Sequence, residues 1–195
     1  MSSPFDCSDD ASTALSDDEV EGLIPSYITL RSELNEAEQA NILDAVRWTG
    51  RRSRDVLDEV FLRTLHKRMF GDVWQWAGSY RRTGKNIGVD ASCIAIELRS
   101  LLDDVRYWIE KGTYDLDEIA ARFHHKLVWI HLFPNGNGRH ARLATDLLLL
   151  NMGQPAFSWG RSNLTDLNAS RKAYVAALRA ADNYKYAALL SFVRS

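Results

Sequence analysis

The chain has 195 residues, of which 46% are hydrophobic and 26% are charged. This balance is typical of a globular domain and excludes a disordered or fibrous protein. The formal net charge of -2 gives no overall attraction to nucleic acid or to an acidic membrane surface. We therefore expect neither direct nucleic-acid binding nor a membrane partner.

The N-terminal 20 residues contain six Asp or Glu and no Lys or Arg. This composition predicts a mobile acidic tail over residues 1–20, followed by one helical domain over residues 21–195. The tail does not have the basic and then apolar pattern of a signal peptide, and Cys7 and Cys93 are too far apart to indicate a disulfide framework. We therefore expect a cytoplasmic location.

Hydrophobic residues recur with helical spacing along most of the remaining chain. Candidate cap residues such as Asn35, Ser53 and Asp115 precede these segments, and glycines follow several of them. The pattern predicts seven helices over residues 35–50, 53–71, 92–112, 115–131, 139–151, 165–181 and 185–193.

The segment "WQWAGSYRRTGKNIGVD", residues 74–90, has a different character. It is rich in aromatic residues, glycine and β-branched residues, but it is too interrupted for a helix. The tetrapeptide "TGKN" in its middle is a plausible turn, so the segment predicts a β-hairpin flap. The expected fold class is therefore mostly α with one small β-hairpin.

The segment "HLFPNGNGRHAR", residues 131–142, spans the predicted end of one helix and the start of the next. Gly136 and Gly138 permit a loop whose N–H groups turn inward, and the next helix adds unpaired N–H groups and a positive dipole end. Arg139 and Arg142 are three residues apart, so both can lie on one helix face and reach the same phosphate chain. These features predict a polyphosphate site.

His131 precedes this loop, and its unperturbed pKa of about 6.5 lets the neutral ring accept a proton from a hydroxyl. Beside a nucleotide, this favours group transfer to a hydroxyl. Each residue alone also has a structural explanation: a helix cap for His131, a tight turn for the Asn-Gly pairs, an ion pair with Asp146 for Arg142. Seven specified positions arise together by chance with a frequency on the order of 10⁻⁹ per starting point, which favours the functional interpretation.

This segment resembles the Fic motif, which reads His, often Pro, Phe, any residue, Asp or Glu, Gly-Asn-Gly-Arg, two free positions, Arg. The segments "LNEAEQANI", "LHKRMFGDVWQWAGSYR", "NIGVD", "FHHKLVWIH" and "YVAALRAAD" look like the branch called mobile mystery protein B, and the resemblance covers about residues 24–195. It implies the helical Fic core and a protein adenylyltransferase. Such an enzyme transfers AMP from ATP to a Ser, Thr or Tyr hydroxyl of a target protein and releases pyrophosphate.

The resemblance also implies a role for each motif residue, with His131 as the general base and Phe133 as an anchor of the loop. The implied catalytic residues are His131, Asn137 and Arg139. The implied nucleotide-binding residues are Asn135, Gly136, Asn137, Gly138, Arg139 and Arg142. The implied target flap, which would pair its edge with the target backbone, is Thr83, Gly84, Lys85, Asn86 and Ile87.

Two positions depart from the motif. Leu132 replaces the common proline, with little expected effect. Asn135 stands where the family has Asp or Glu to hold Mg²⁺, and a neutral amide is a weaker ligand for a hard cation. The resemblance implies ATP as substrate and Mg²⁺ or Mn²⁺ as the metal, held by Asn135 and the phosphates. Three functions stay open: adenylyl transfer, phosphoryl or other nucleotidyl transfer at the same loop, and nucleotide binding without activity.

Many Fic proteins carry an inhibitory helix with Ser or Thr, three residues, Glu, then Gly or Asn, whose glutamate pairs with the loop arginine. Glu21 and Gly22 fit the end of this pattern, but Asp17 stands at its start, so cis inhibition is only a hypothesis. His124 and His125 lack the further ligands of a metal site, and we interpret them as packing and surface residues. Family habit also implies a partner protein of the antitoxin or DNA-binding type.

Overall fold

The computed structural model describes residues 15–50, 54–160 and 167–195. Within these ranges the chain is mainly helical, as predicted. Its helices are α1 (Asp17–Val20), α2 (Arg31–Thr49), α3 (Glu59–Phe70), α4 (Ile94–Lys111), α5 (Leu116–Ile130), α6 (Asn137–Asn151), α7 (Leu167–Ala181) and α8 (Ala187–Val193). A 3₁₀ turn, Ala91–Cys93, leads directly into α4. None of the helices in the described ranges combines enough length and hydrophobicity to cross a lipid bilayer.

A side-chain carboxylate sets the start of α2. Asn35, predicted as the cap, is instead an interior residue of this helix. The carboxylate of Glu33 accepts hydrogen bonds from the N–H groups of Thr29 (2.8 Å) and Leu30 (3.0 Å). Because this carboxylate satisfies N–H groups ahead of the helix, the helix begins at Arg31, earlier than predicted.

The start predicted for α3, at Ser53, lies outside the described residues. The helix begins at Glu59, because the carboxylate of Asp58 accepts the N–H groups of Val60 (3.1 Å) and Phe61 (3.3 Å) and so caps its first turn. The predicted spans of the five later helices agree with the structure to within two residues at each end.

The hairpin predicted over residues 74–90 is not found. These residues form turns and bends, and Trp74 alone makes an isolated antiparallel bridge, with Leu23 outside the segment. The guanidinium of Arg81 donates to the carbonyls of Thr83 and Val89. Since these carbonyls bond to a side chain and not to a partner strand, the segment folds as an irregular loop. The flap residues thus remain together in space without a β-ladder.

α5 occupies the centre of the fold and packs against α4, α6 and α8. On one side, Phe123, Leu127 and Ile130 enter the main core with residues of α2, α3, α4 and α6. On the other side, Ala120 and Ala121 enter a second cluster with residues of α7 and α8. Burial on both sides places the end of α5, where the motif begins, inside the molecule.

The segment before α2 packs against Trp74 and Gln75 in residues 74–78, which we call the base of the flap. The N–H of Gln75 donates to the carbonyl of Gly22 (2.9 Å), next to the bridge between Leu23 and Trp74. Residues 15–20, which were predicted as part of the acidic tail, include α1 and pack hydrophobic side chains against the main core. Residues 1–14 of that predicted tail lie outside the described residues.

Substitutions of Leu98 and Ile96 compare a buried position of α4 with an exposed one. Leu98 is fully buried at 0% exposure, whereas Ile96 is 66% exposed in the same helix. Leu98→Ala leaves a cavity in the core, so we expect the free energy of unfolding to fall by about 2–5 kcal/mol. Ile96→Ala removes an exposed side chain and should change it by no more than about 0.5 kcal/mol. Chemical denaturation measures both, and equal losses would contradict the packing described for α4.

Candidate active site

The candidate active site forms where α5 ends and α6 begins. His131 is the C-terminal cap of α5 and adopts a left-handed backbone conformation, with φ 58° and ψ 66°. This conformation is uncommon for a residue other than glycine, so contacts around His131 must stabilise it. The cap turns the chain out of the helix while the residue stays in the interior, at 4% exposure.

Burial controls the protonation of His131. Burial, followed by the positive charge of Arg81, lowers the pKa of the imidazole to about 4, while a hydrogen bond with the backbone of Val128 raises the pKa in part. In either tautomer, a neutral imidazole has one N–H donor and one nitrogen whose lone pair can accept a proton. The ring is therefore a neutral proton acceptor at pH 7.

The side chain of Asn137 closes the loop between α5 and α6. Its Oδ1 accepts the N–H of Phe133 (2.9 Å), and its Nδ2 donates to the carbonyl of Phe133 (2.7 Å). Asn137 is 5% exposed, so both hydrogen bonds lie in the interior. This amide thus holds the shape of the loop, while the backbone N–H of Asn137 belongs to the first turn of α6.

His66 of α3 supports the loop from the core. The N–H of Gly78 donates to Nδ1 of His66 (3.0 Å), so Nε2 carries the proton and donates to the carbonyl of Asn135 (3.1 Å). The ring stacks on Phe133 with centroids 3.7 Å apart, and burial lowers its pKa well below the usual value. A neutral histidine in one tautomer therefore ties the loop to α3 and to the base of the flap.

The N-terminus of α6 has the geometry of an anion site. Gly136 is the N-cap with φ 77°, and a Cβ there would lie 2.6 Å from the ring of Phe70, so glycine is required. The N–H groups of Asn137, Gly138 and Arg139 belong to the first turn, where an α-helix supplies no carbonyl partner and its dipole is positive. A Cβ placed on Gly138 would meet no atom within 4 Å. The space on the side-chain face of Gly138 is therefore open.

Arg139 is held by a buried carboxylate. Its Nη1 lies 2.6 Å from Oε2 of Glu38, and Oε1 of Glu38 accepts the indole N–H of Trp74 (2.7 Å). The Glu38 side chain is 5% exposed and that of Arg139 is 40% exposed. The guanidinium also covers the ring of Phe70, 4.8 Å from its centroid. The charge of Arg139 thus lies at the edge of the site and is partly balanced by Glu38.

Arg142 packs among aromatic rings. Its guanidinium carbon lies 4.5 Å from the ring centroid of Tyr174 and 5.6 Å from that of Trp159. Asp146, the alternative ion-pair partner suggested by spacing, accepts a hydrogen bond from the indole N–H of Trp159 (3.0 Å). The two motif arginines therefore have different neighbours, although they are three residues apart on α6.

The predicted target flap is exposed at four positions and anchored at the fifth. The exposed residues are Thr83, Gly84, Asn86 and Ile87. The ammonium group of Lys85 instead forms an ion pair with the carboxylate of Glu19 in α1, and these side chains are only 6% and 11% exposed. The hydroxyl of Thr83 also donates to Glu19 (3.4 Å), so the segment before α2 contacts two flap side chains, and Gly84, Asn86 and Ile87 are exposed to a partner.

The residues around Asn135 do not form a complete metal site. Its Oδ1 accepts the N–H of Gly136 (2.6 Å), so this candidate metal ligand already bonds within the loop. Among the described residues, no group of three or more His, Cys, Asp and Glu is placed to hold a metal ion. His124 bonds to the hydroxyl of Tyr174 (2.9 Å) and His125 to that of Tyr186 (3.1 Å). Both histidines are buried, so the packing role is confirmed for both and the predicted surface position of one of them is wrong.

Three residues at this site were missed from the sequence: Glu38, His66 and Arg81. Glu38 offered a signal, because it occurs at helical spacing among residues on the buried face of α2, which are Leu34, Glu38, Asn41, Ala45 and Thr49. A carboxylate on such a face requires a buried partner. Glu21, the candidate inhibitory glutamate, is exposed, and the carboxylate that reaches a motif arginine is that of Glu38.

The chain is similar in sequence to known proteins over about half of its length. Residues 56–149 match the model of the Fic/DOC family. Over 95 residues the chain is 34% identical to the protein adenylyltransferase Fic of Drosophila grimshawi, an alignment that covers 47% of this chain and 20% of that protein. The chain therefore matches only about a fifth of the length of this relative.

Solved structures show the same fold. The N-terminal FIC domain of Bep8 from Bartonella sp. 1-1C has a TM-score of 0.69 at 16% identity, covering 87% of this chain and 88% of that one. BepC from Bartonella tribocorum, solved with bound AMPPNP, has a TM-score of 0.69 at 17% identity, covering 92% and 97%. The helical fold of this chain is therefore the fold of these FIC domains.

The lowered pKa values of the histidines lead us to expect that the free energy of unfolding falls in acid. Burial lowers the pKa of all five, which are His66, His124, His125, His131 and His140. In the unfolded chain they titrate at about 6.5, so below that pH the unfolded state binds more protons than the native state. Their contribution is complete above about pH 6.5 and is lost as the pH falls, by up to about 1.4 kcal/mol per pH unit for each histidine.

Equilibrium unfolding in urea at several pH values measures this loss. The decline between about pH 7 and pH 5 reports on the histidines, because carboxylates of the unfolded chain titrate at about pH 4. A free energy of unfolding that stays constant over this interval would contradict the burial of neutral imidazoles.

Proposed function

We propose that the chain is a protein adenylyltransferase that transfers AMP from ATP to a Ser, Thr or Tyr hydroxyl of a target protein. The observation that carries this proposal is the position of His131. It is a buried, neutral imidazole at the end of α5, joined by a short loop to the anion-binding N-terminus of α6. Two curated relatives, each 34% identical to the chain over 95 residues, are named protein adenylyltransferases, and this supports the assignment.

The proposed reaction is an in-line displacement. The target hydroxyl oxygen attacks the α-phosphorus of ATP, and its proton passes to His131. The bond between the α-phosphorus and the bridging oxygen breaks, and pyrophosphate leaves. The N–H groups of Asn137 and Gly138 stabilise charge on the phosphates, and Arg139 binds the leaving phosphates while Arg142 supports them. The Asn137 side chain contributes by holding the loop closed through its hydrogen bonds with Phe133.

In this proposal, Mg²⁺ or Mn²⁺ enters with ATP as part of the substrate. The phosphate oxygens supply its charged ligands, because the loop offers only the neutral amide oxygen of Asn135, which bonds to Gly136. We therefore expect weak metal binding by the chain itself. Asn135→Asp adds the missing carboxylate and provides a direct test of this limit.

The target protein binds at the flap in this proposal. Thr83, Gly84, Asn86 and Ile87 are exposed, and backbone groups of this stretch other than the Thr83 carbonyl, which bonds to Arg81, can pair with an extended target segment. Membership of the mobile mystery protein B branch and a partner of the antitoxin or DNA-binding type stay predictions from the resemblance alone.

A nucleotide-binding module without transferase activity is the second candidate. Two observations favour it. The guanidinium of Arg139 already forms an ion pair with Glu38, and Asn135 provides no negative charge for a metal ion. Phosphoryl transfer at the same loop is the third, because the loop geometry recognises phosphates and not the base.

Labelled ATP separates these functions. The purified chain is incubated with lysate proteins and Mg²⁺ or Mn²⁺, using ATP radioactively labelled at either the α or the γ position. We expect label from the α position on protein, at least about 100-fold less with His131→Ala, and more with Asn135→Asp. ATP binding, measured by calorimetry, should persist in His131→Ala.

Other outcomes contradict the proposal. Transfer of the γ label identifies a phosphoryl transferase, and ATP binding without transfer by any version identifies a nucleotide-binding module. Label that survives in His131→Ala would remove His131 as the general base.

Glu38→Gln tests whether the ion pair limits nucleotide binding. Glutamine keeps an oxygen for the indole N–H of Trp74 but removes the negative charge beside Arg139. With this charge gone, we expect ATP to bind about 10-fold more tightly, since about 1.4 kcal/mol of competing interaction is lost. Glu36→Gln, an exposed change in the same helix, is the matched control. Equal ATP affinities of the two variants in calorimetry would contradict a competition for Arg139.

A further inference from the structure

Arg81 is a buried cation that bonds to backbone carbonyls. It is 2% exposed, and its Nε donates to the carbonyl of His131 (2.6 Å). Its Nη1 donates to Thr83 (3.0 Å), and its Nη2 donates to Ile130 (3.3 Å) and Val89. The rigid fork of a guanidinium has five N–H donors, so one side chain can hold four carbonyls that come from two separate segments.

The first of these segments is the end of α5. The backbone N–H of Arg81 also donates to the carbonyl of Leu132 (3.0 Å), so one residue satisfies the consecutive carbonyls of residues 130–132. These carbonyls lack helical partners, because the chain leaves the helix at His131. The bonds to the Ile130 and His131 carbonyls hold the peptide planes on both sides of the His131 Cα, and with φ 58° and ψ 66° these planes fix the direction of the bond that carries the imidazole.

The second segment is the flap. Thr83 and Val89, whose carbonyls bond to Arg81, bracket most of its exposed residues. Between them, Gly88 has φ 103°, and a Cβ on it would lie 2.6 Å from Cβ of His131 and 2.8 Å from Nη2 of Arg81. The flap backbone therefore lies directly against His131, at a position that requires glycine.

We propose that Arg81 is a positioning residue that fixes the imidazole of His131 and the target flap in one arrangement. It thereby aligns the target hydroxyl with its base. This inference rests on the proposed function and extends it to the recognition of the target. General-base catalysis depends on such alignment, and a misplacement of about 1 Å costs about 100-fold in rate.

Substitution of Arg81 separates positioning from general packing. Arg81→Met removes all four side-chain hydrogen bonds, whereas Arg81→Lys keeps the charge without the fork. Arg106→Met is the matched control, because the Arg106 guanidinium also donates to a backbone carbonyl, that of Leu57 (2.5 Å). We expect Arg81→Met to lower kcat for target labelling by about 100-fold and Arg81→Lys by about 10-fold, with Arg106→Met unchanged.

Binding constants complete this test. The dissociation constant of ATP should change by less than about 3-fold in Arg81→Met, because Arg81 bonds to α5 and the flap and not to the first turn of α6, and the target KM should rise. A kcat within about 3-fold of the unsubstituted chain would overturn the proposal. Parallel losses of kcat and ATP binding would also overturn it, because they indicate a general structural role.

A second readout does not depend on activity. We expect amide hydrogen exchange over residues 83–89 to accelerate at least about 10-fold in Arg81→Met, and the NMR signal of the His131 imidazole, assigned with His131→Gln, to shift. The signals of the other histidines should stay in place, and thermal melting checks that the variant is folded. If Arg81→Met does not fold, Arg81→Lys is used for both readouts.

This readout distinguishes the two proposals. If the unsubstituted chain transfers no AMP, the proposed function fails, and the exchange and NMR data still decide the role of Arg81. Unchanged exchange together with an unchanged His131 signal would overturn the positioning role.

Discussion

Two hydrogen bonds between the amide of Asn137 and the backbone of Phe133 close the loop on which the rest of the site depends. They draw the start of α6 back to the end of α5, so that a proton acceptor and an anion-binding helix end lie at one junction. The amide uses a donor and an acceptor at once, which an ionised aspartate of the same size cannot do. The shape of the loop, and with it the proposed phosphate site, thus depends on one buried side chain.

The polar interior around this junction is stable because its groups are paired. His66 bonds to the loop and to the flap base, Glu38 bonds to an arginine and an indole, and Arg81 bonds to carbonyls of two segments. Removing one member leaves its partners buried without hydrogen bonds, which costs more than an ordinary surface contact. The same network supports neutral imidazoles and so connects the chemistry of the site to the stability of the fold.

Local patterns predicted the helices and the motif loop, because hydrophobic spacing and a short motif each lie within one stretch of sequence. The hairpin over residues 74–90 was not found. A segment rich in glycine and aromatic residues can also form an irregular loop when a side chain, here that of Arg81, donates hydrogen bonds to its carbonyls. Glu38 and Arg81 were missed because their partners are distant: 101 residues separate Glu38 from Arg139, and 50 separate Arg81 from His131. Sequence spacing gives no information about such contacts unless the fold is known.

The carboxylate of Glu38 joins Arg139 to the indole of Trp74, which stacks on Trp76 with centroids 5.0 Å apart. A ligand that draws the guanidinium away leaves an uncompensated negative charge in hydrogen-bond contact with an aromatic chromophore. Indole emission responds to charge at this distance, so under the proposed function we expect ATP binding at the start of α6 to change the emission of Trp74. The intrinsic fluorescence of Trp74 would then report nucleotide binding without a dye or a radioactive label.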